Sequence, residues 1–323
     1  MSSVLDTAII VGKEATYGTA AVGTRGYEGK ADTWKREQEF LESTGFYAGR
    51  QAKRADRRVA INMGGGGSLE LDVLNKGFGL VLQAMLGSVE GPTQIAATDA
   101  YTITAATTAD DPADSFTVQT LRTDMSGAER AFTHEGAVMT SWSLSQEVGG
   151  FLVASMEFDF EDVQTATAAG TVSYPAATAP FDWTQVAVTI AGSPVDVMSF
   201  ELNGDLALKT DRRFLRGSHL KKMPVRSGVP QFTGSMDMEF EDLTQYEAFV
   251  AGDPVAVVIT YTGAAIDGEN YEIVITLPAV QFTGESPEAS LSDVPKQSIP
   301  FEVLWDGSAA AITITYTSTD TAL

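Results

Sequence analysis

Two histidines, no cysteine and a few acidic clusters are what this chain offers for chemistry. His134 and His219 lie in different halves of the sequence. A serine hydrolase needs a histidine base within hydrogen-bond reach of its nucleophile. The local settings argue for surface roles instead: His134 sits in the polar stretch Thr133-His134-Glu135, and His219 lies among basic residues. Two histidines without cysteine make a poor ligand set for zinc. Asp110, Asp111 and Asp114 carry the hard oxygens that calcium takes, but without EF-hand spacing they read as a solvated acidic loop. Glu157, Asp159, Glu161 and Asp162 could in principle pair for glycoside hydrolysis. Their alternation places them instead along one solvent-facing row of a strand. The glycine run Gly64 to Gly67 lacks the Gly-Lys-Ser/Thr ending of a phosphate loop and reads as a strand bend or a loop tip. No residue is assigned a catalytic, cofactor-binding or metal-binding role, and the expectation is a protein that is not an enzyme and uses no cofactor.

Positive charge is what the chain concentrates. Of its 21 Lys and Arg, seven fall between Lys35 and Arg58 and seven between Lys209 and Arg226. The first window holds Lys35, Arg36, Arg50, Lys53, Arg54, Arg57 and Arg58; the second holds Lys209, Arg212, Arg213, Arg216, Lys221, Lys222 and Arg226. Setting those 14 aside leaves seven positive charges against the chain's 43 negative ones, and the net charge is −22. Such a body repels nucleic-acid phosphates, so the windows are not read as a nucleic-acid grip, although Phe40, Phe46, Tyr47 and Phe214 lie among them. Basic arms on an acidic body suit attraction between copies of the chain, and a head-to-tail contact of that kind closes rings or builds open stacks.

Each window precedes the same local pattern. Gly67-Ser68 begins GSLELDVLNKGFGLVLQAMLG, and Gly234-Ser235 begins GSMDMEFEDLTQYEAFVAG. Leu69, Leu71 and Val73 alternate with polar residues in the first, and Met236, Met238 and Phe240 in the second, the period of a half-buried strand. The period then lengthens. Leu74, Phe78, Val81, Leu82 and Met85, and later Leu243, Tyr246, Phe249 and Val250, each form one apolar helical stripe. Gly87 and Gly252 stand where a helix ends on a left-handed residue. A strand–helix unit behind a basic window therefore occurs twice, which predicts a duplicated domain.

The remaining segments read as strands. Ala8 to Val11 is a candidate edge strand. Residues 88–114 read as loop with one strand at Tyr101 to Ile103. Ser115 to Leu121, Gly136 to Leu144 and Gly150 to Phe160 complete the first half. Residues 165–182, small and with two prolines, are the linker candidate. The second half adds Val186 to Ile190, Val195 to Leu202, Val255 to Tyr261, Tyr271 to Leu277, Ile299 to Trp305 and a last run through Ile312, Ile314 and Tyr316. Trp142 and Trp305 alternate with core positions and read as packing residues. The expected class is mainly β, with domains at 1–164 and 183–323, each a β-sandwich with one short flanking helix. The N-terminus lacks a basic region ahead of its short apolar run, so no signal peptide is expected. No apolar run approaches a membrane span, and the expectation is a soluble protein of the cytoplasm.

The stretch Val11-Gly12-Lys13-Glu14-Ala15-Thr16-Tyr17-Gly18-Thr19-Ala20 resembles the opening of tail tube (major tail) proteins of long-tailed bacteriophages. Phe116 to Asp162, with TLR and FTHEGAVMTSWSLSQEVGGFLVASMEFDFED, is similar to the same family. So is Met198 to Asp306, through FELNGDLAL, TDRRFLRGSHLKKMPVRSG, FTGSMDMEFEDLTQYEAFVAG, ITLPAVQF and IPFEVLWD. The resemblance implies two tandem tail-tube-like sandwiches in a structural virion protein. Six such domains would form a β-barrel ring, and stacked rings would conduct DNA from capsid to host. The implied partners are further copies of the chain and the tape-measure, tail-tip and tail-terminator proteins. Assembly would take place in the host cytoplasm. An acidic lumen would keep passing DNA from sticking, by repulsion screened beyond about 8–10 Å. The family's long loop ahead of the inner strands contacts the neighbouring ring. Carried over, this gives Arg50, Lys53, Arg54, Arg57, Arg58, Arg212, Arg213, Arg216, Lys221, Lys222 and Arg226 as inter-ring or subunit contacts. Because both halves keep the repeated unit, three chains per ring are favoured over six. The alternatives are a related virion part (a tail terminator or capsid decoration protein) and a carbohydrate-binding module using Trp34, Trp142, Trp183 or Trp305.

Overall fold

A computed structural model describes residues 7–45, 47–49, 51–108, 114–284 and 294–323. Arg50, Phe46, Asp110 and Asp111 lie outside the described residues. The first half runs β1 (Ala8–Lys13), β2 (Arg25–Tyr27), β3 (Lys35–Glu42), β4 (Arg58–Asp72), α1 (Gly79–Leu86), β5 (Gly87–Gln94), β6 (Tyr101–Thr107), β7 (Phe116–Thr123), β8 (Glu129–Glu147), β9 (Val153–Phe160) and β10 (Asp162–Gln164). The second half runs β11 (Val186–Ile190), β12 (Ser193–Val195), β13 (Val197–Asp205), β14 (Leu208–Lys209), β15 (Val225–Arg226), β16 (Gln231–Glu239), α2 (Thr244–Ala251), β17 (Val255–Ile266), β18 (Glu269–Phe282), β19 (Lys296–Val303) and β20 (Thr313–Ser318). The fold is mainly β, with two short helices among the described residues. No helix there is long and apolar enough to cross a membrane.

The repeated sequence folds the same way twice. Gly67 of β4 pairs with Phe158 of β9, and Gly234 of β16 pairs with Phe301 of β19. On the other side of each pair lies the strand ahead of the basic window, β3 beside β4 and β13 beside β16. Beyond β9 lies β8, and beyond β19 lies the end of β18, where Val280 to Phe282 pair with Val303 to Phe301. Both helices stop on left-handed glycines, Gly87 at φ 85° and Gly252 at φ 71°.

The two inner sheets join into one. The C-terminal part of β8 pairs with β13, from Ser141 opposite Asp205 to Glu147 opposite Ser199. The result is one antiparallel sheet in the order β3, β4, β9, β8, β13, β16, β19, β18. The N-terminal part of β8 turns away to pair with β7 and β10, and β1 lies between β7 and β2. In the second half the outer layer is β12, β11, β17, β18, β20, β6 and β5. Between the layers sits one apolar core that includes Leu69, Leu71, Trp142, Phe158, Leu202, Met236, Ile275 and Phe301.

Several sequence expectations change. Ala8 to Val11 is no edge: β1 is paired on both sides and mostly buried. Residues 87–107 form the hairpin β5–β6 rather than a loop with one strand, and β6 extends the second half's outer layer through β20. Gly64 to Gly67 is neither bend nor loop tip but the middle of β4, paired with β3 and β9. Its glycines make room for aromatic rings: a β-carbon at Gly65 would collide with Phe160, and one at Gly67 with Trp34. Residues 165–182 run docked on the body. Ser173 bridges Arg25, Pro180 bridges Leu74, and Phe181 is buried against Tyr261. Trp142 is a core residue as expected, but Trp305 is 69% exposed. The two helices also differ. α1 is buried under β5 and β6, whereas no residue of α2 is fully buried and Leu243 and Val250 face out.

Candidate assembly interface

The C-terminal parts of β4 and β8 and the strands β9, β13, β16 and β19 alternate, and their inward set fills the core, whereas the edge strand β3 is exposed along its length. The outward set is polar. One cross-strand row runs Glu70, Ser155, Ser143, Asn203, Thr233, Glu302, each opposite the next in register. Neighbouring rows add Glu157, Asp205, Glu201, Asp237 and Glu147, interspersed with serines. Large apolar side chains are missing from these rows because they point the other way. The face is acidic, and its two halves meet without a seam at β8–β13.

The row also measures how the strands tilt. Crossing four strands from Glu70 of β4, it arrives at Thr233 of β16, which corresponds in the repeat to Gly66 rather than to Glu70. That is a slip of four residues over four strands. With about 3.4 Å per residue and about 4.8 Å between strands, the line joining equivalent positions of the two repeats is inclined by about 35° to the row, which is the strand tilt a barrel built from this repeat would have.

The basic windows fall into two structural classes. The second is spent largely within the chain. Lys221, 4% exposed, donates to Asp159 Oδ1 of β9 at 2.5 Å. Arg213 donates to the Met63 carbonyl of β4 at 2.9 Å, and His219 bonds the Ile61 carbonyl through Nδ1 and accepts from Met63 N. Arg226 reaches the Thr108 carbonyl at 2.9 Å. The segment between β13 and β16 thus folds back across β8 and β9 onto the first half. Arg212 and Arg216 hold its shape through the carbonyls of Met223, Leu220 and Lys221, and Lys222 lies 5.2 Å from the Phe214 ring centre. Lys221, which the sequence placed among the inter-subunit contacts, is here buried against Asp159 and paired within the chain.

The first window projects as an exposed hairpin from the edge strand β3. Lys53 contacts Glu42 at 2.8 Å, Arg54 contacts Asp56 at 2.5 Å and lies over Tyr47, Arg58 lies over Phe40, and Arg57 ends a short exposed turn. These are surface contacts weakened by solvent screening. Phe40, Leu41, Tyr47 and Val59 are exposed on the same hairpin.

The acidic cluster at the end of β9 is more enclosed than alternation suggested. Burial raises the Asp159 carboxyl against the pull of Lys221. Burial, reinforced by Asp162, Glu14 and Glu135 and opposed by Arg216, pushes Glu161 up to about 7. Glu14 is buried and accepts from Ser115, Thr117 and the Gly136 and Gly18 amides. His134 is not on the surface: it is 1% exposed, packed on Trp34 and Phe160, with Nδ1 on the Val118 carbonyl. Burial holds its pKa down at about 4. The polar flanks Thr133 and Glu135 hid this from the sequence. His219 does lie at the surface. Asp114 is tied to Lys13 at 2.8 Å and to Gln83, and the described residues hold no cluster of three metal-binding side chains.

The structure thus presents an acidic sheet face, an edge strand β3 that pairs with β4 alone among the described residues, and basic arms beside it. No curated relative matches the chain. The family model described as phage tail tube protein matches residues 5–303. The chain belongs to the phage tail tube protein family, and is by that membership a structural component of a virion, assembling with other tail proteins into a multi-subunit tube.

Proposed function

We propose that three copies of this chain close into a ring in which each half, 1–164 and 183–323, serves as one tube domain, and that stacked rings form the conduit for DNA. The observation that carries this reading is the β8–β13 pairing, which puts both halves on one continuous tilted sheet with a polar, acidic open face. The next such joint would pair β3 of one chain beside β18 of its neighbour, since β3 corresponds to β13 and β18 to β8.

The geometry favours three chains over six. Each chain brings eight inner strands. At about 35° tilt each strand takes up about 5.9 Å of circumference, so ~24 strands enclose a backbone diameter of about 45 Å. Side chains narrow this to about 35 Å, which passes a DNA duplex about 20 Å wide. Six chains with both halves on the wall would double the diameter to about 90 Å, far beyond what DNA requires. Acidic and serine-rich rows suit the passage of a polyanion, since the cations beside them, Lys30 on Glu70 and Asp72 and Lys221 on Asp159, are already paired with carboxylates. Tape-measure, tail-tip and terminator proteins would meet the two ends of such a tube, assembled in the host cytoplasm.

Electron microscopy of the purified protein, averaged over end-on views and repeated with tail-tip proteins present, tests the reading. Tubes whose ends show six lobes of two alternating kinds are expected. Six identical two-lobed subunits per ring would overturn the stoichiometry. Absence of tubes under both conditions would overturn the tube reading.

A further inference from the structure

The internal repeat says where the first basic hairpin docks. In the second half the arm after β13 crosses back over the preceding domain, and Lys221 seats on Asp159. Asp159 stands opposite Gly66 in β4–β9, and its counterpart opposite Thr233 in β16–β19 is Glu302. Glu302 is exposed and makes no ion pair among the described residues. The arms themselves correspond at their tips. Gly49 and Gly217 both adopt positive φ, 79° and 69°. Four residues after each stands a lysine followed by a second cation: Lys53-Arg54 in Gly49-Arg50-Gln51-Ala52-Lys53-Arg54, and Lys221-Lys222 in Gly217-Ser218-His219-Leu220-Lys221-Lys222. Lys53 is thus the counterpart of Lys221. Its side chain is 78% exposed, and among the described residues its one ion pair is with Glu42.

We infer that Lys53 of one chain seats on Glu302 of the neighbouring chain in the same ring, as Lys221 seats on Asp159 within the chain. The first basic hairpin is then an in-ring clasp rather than an inter-ring arm. This rests on the three-chain ring proposed above: the arm of each domain reaches the domain before it, and for the first half that domain belongs to the neighbour. The hairpin's exposed Phe40, Leu41 and Val59 would be covered in the same contact, on a partner surface where Val229 and Trp305 are likewise exposed. One detail differs. Met63 gives its amide to the second arm, whereas the corresponding Pro230 has no amide to give. The ion pair and apolar cover therefore carry the contact between chains, with less backbone bonding than within a chain.

Charge reversal tests this, because Lys53 and Glu302 are both exposed in the single chain and neither substitution enters the core. Wild type, Lys53→Glu, Glu302→Lys and the double variant are compared for melting as monomers and for ring or tube yield by sedimentation. Melting is expected to be unchanged throughout. Each single variant loses at least tenfold in assembly, and the double variant returns to within about threefold of wild type. The chain has no cysteine, so Lys53→Cys/Glu302→Cys with a short bismaleimide is expected to give covalent species that stop at three chains. Single variants that assemble like wild type, or cross-links that run on past three chains, overturn the clasp while leaving the ring intact. Failure of wild type to form rings or tubes even with tail-tip proteins overturns the ring reading and the clasp with it.

Discussion

Replacing Lys221 with methionine isolates the contact that fastens the second arm to the first half. The lysine side chain is 5% exposed and Asp159 is 18% exposed, with 2.5 Å between Nζ and Oδ1. Methionine keeps the stem's volume and removes the charge, leaving a carboxylate in a site whose burial already raises its pKa. Two charges about 4 Å apart interact by about 4 kcal/mol at an effective dielectric of 20, and breaking a buried pair from one side costs about 3–5 kcal/mol. Asp159 keeps some solvent and has Arg213 nearby, so about 3 kcal/mol is expected. The measurement is guanidinium unfolding of dilute monomer at pH 8 and at pH 5. In the variant the folded-state pKa of Asp159 rises further above its unfolded value. The folded chain then holds its proton to higher pH than the unfolded chain, and the penalty is smaller at pH 5 than at pH 8. Asp159→Asn combined with Lys221→Met should recover most of the loss, because no uncompensated charge remains. A loss under about 1 kcal/mol, or an equal loss at both pH values, would refute the view that this pair is buried and holds the arm.

Two further outcomes follow from the same region. Glu161 and His134 bias stability in opposite directions. The carboxyl is raised from 4.5 to about 7, so its contribution falls as pH rises through that window. The imidazole is lowered from 6.5 to about 4, so its contribution, about 3 kcal/mol, is complete above pH 6.5 and lost as pH falls toward 4. Glu161→Gln should therefore steepen the loss of stability in acid, and His134→Leu should flatten or reverse it, read as denaturant midpoints from pH 4.5 to 8; parallel profiles for the three proteins would contradict both assignments. Gly65→Ala should lower stability by about 1–3 kcal/mol, because the added carbon meets the Phe160 ring and the Lys35 carbonyl, while Gly45→Ala, in open space, should change little; equal melting of the two variants would contradict the packing described for β4.

Much of the fold was legible in the sequence because alternation and helical spacing report which side of an element is buried. Leu69, Leu71, Met236 and Met238 lie in the core as their spacing required, and Gly87 and Gly252 cap their helices as left-handed residues. The family was legible too, since many short matches in order span nearly the whole chain. Periodicity says nothing about what covers a face. α1 and α2 carry similar stripes, yet only α1 is buried, because the β5–β6 hairpin lies over it and α2 has no such cover among the described residues. His134 and Trp305 failed for a related reason. A histidine between polar neighbours was taken to the centre of an aromatic cluster by long-range pairing, and a tryptophan in core rhythm was left outside where β19 had ended.

The sequence by itself determined the repeat, the strand and helix types, the two basic windows and the acidic body, because these are written in local order and charge. The tertiary structure alone decided that β8 and β13 join the halves into one sheet, that Lys221 is spent on Asp159 while its counterpart Lys53 stays exposed, and that the acidic rows share one open face. These depend on pairings between residues far apart in the chain, whose register is set by how two whole layers pack and which no local pattern encodes.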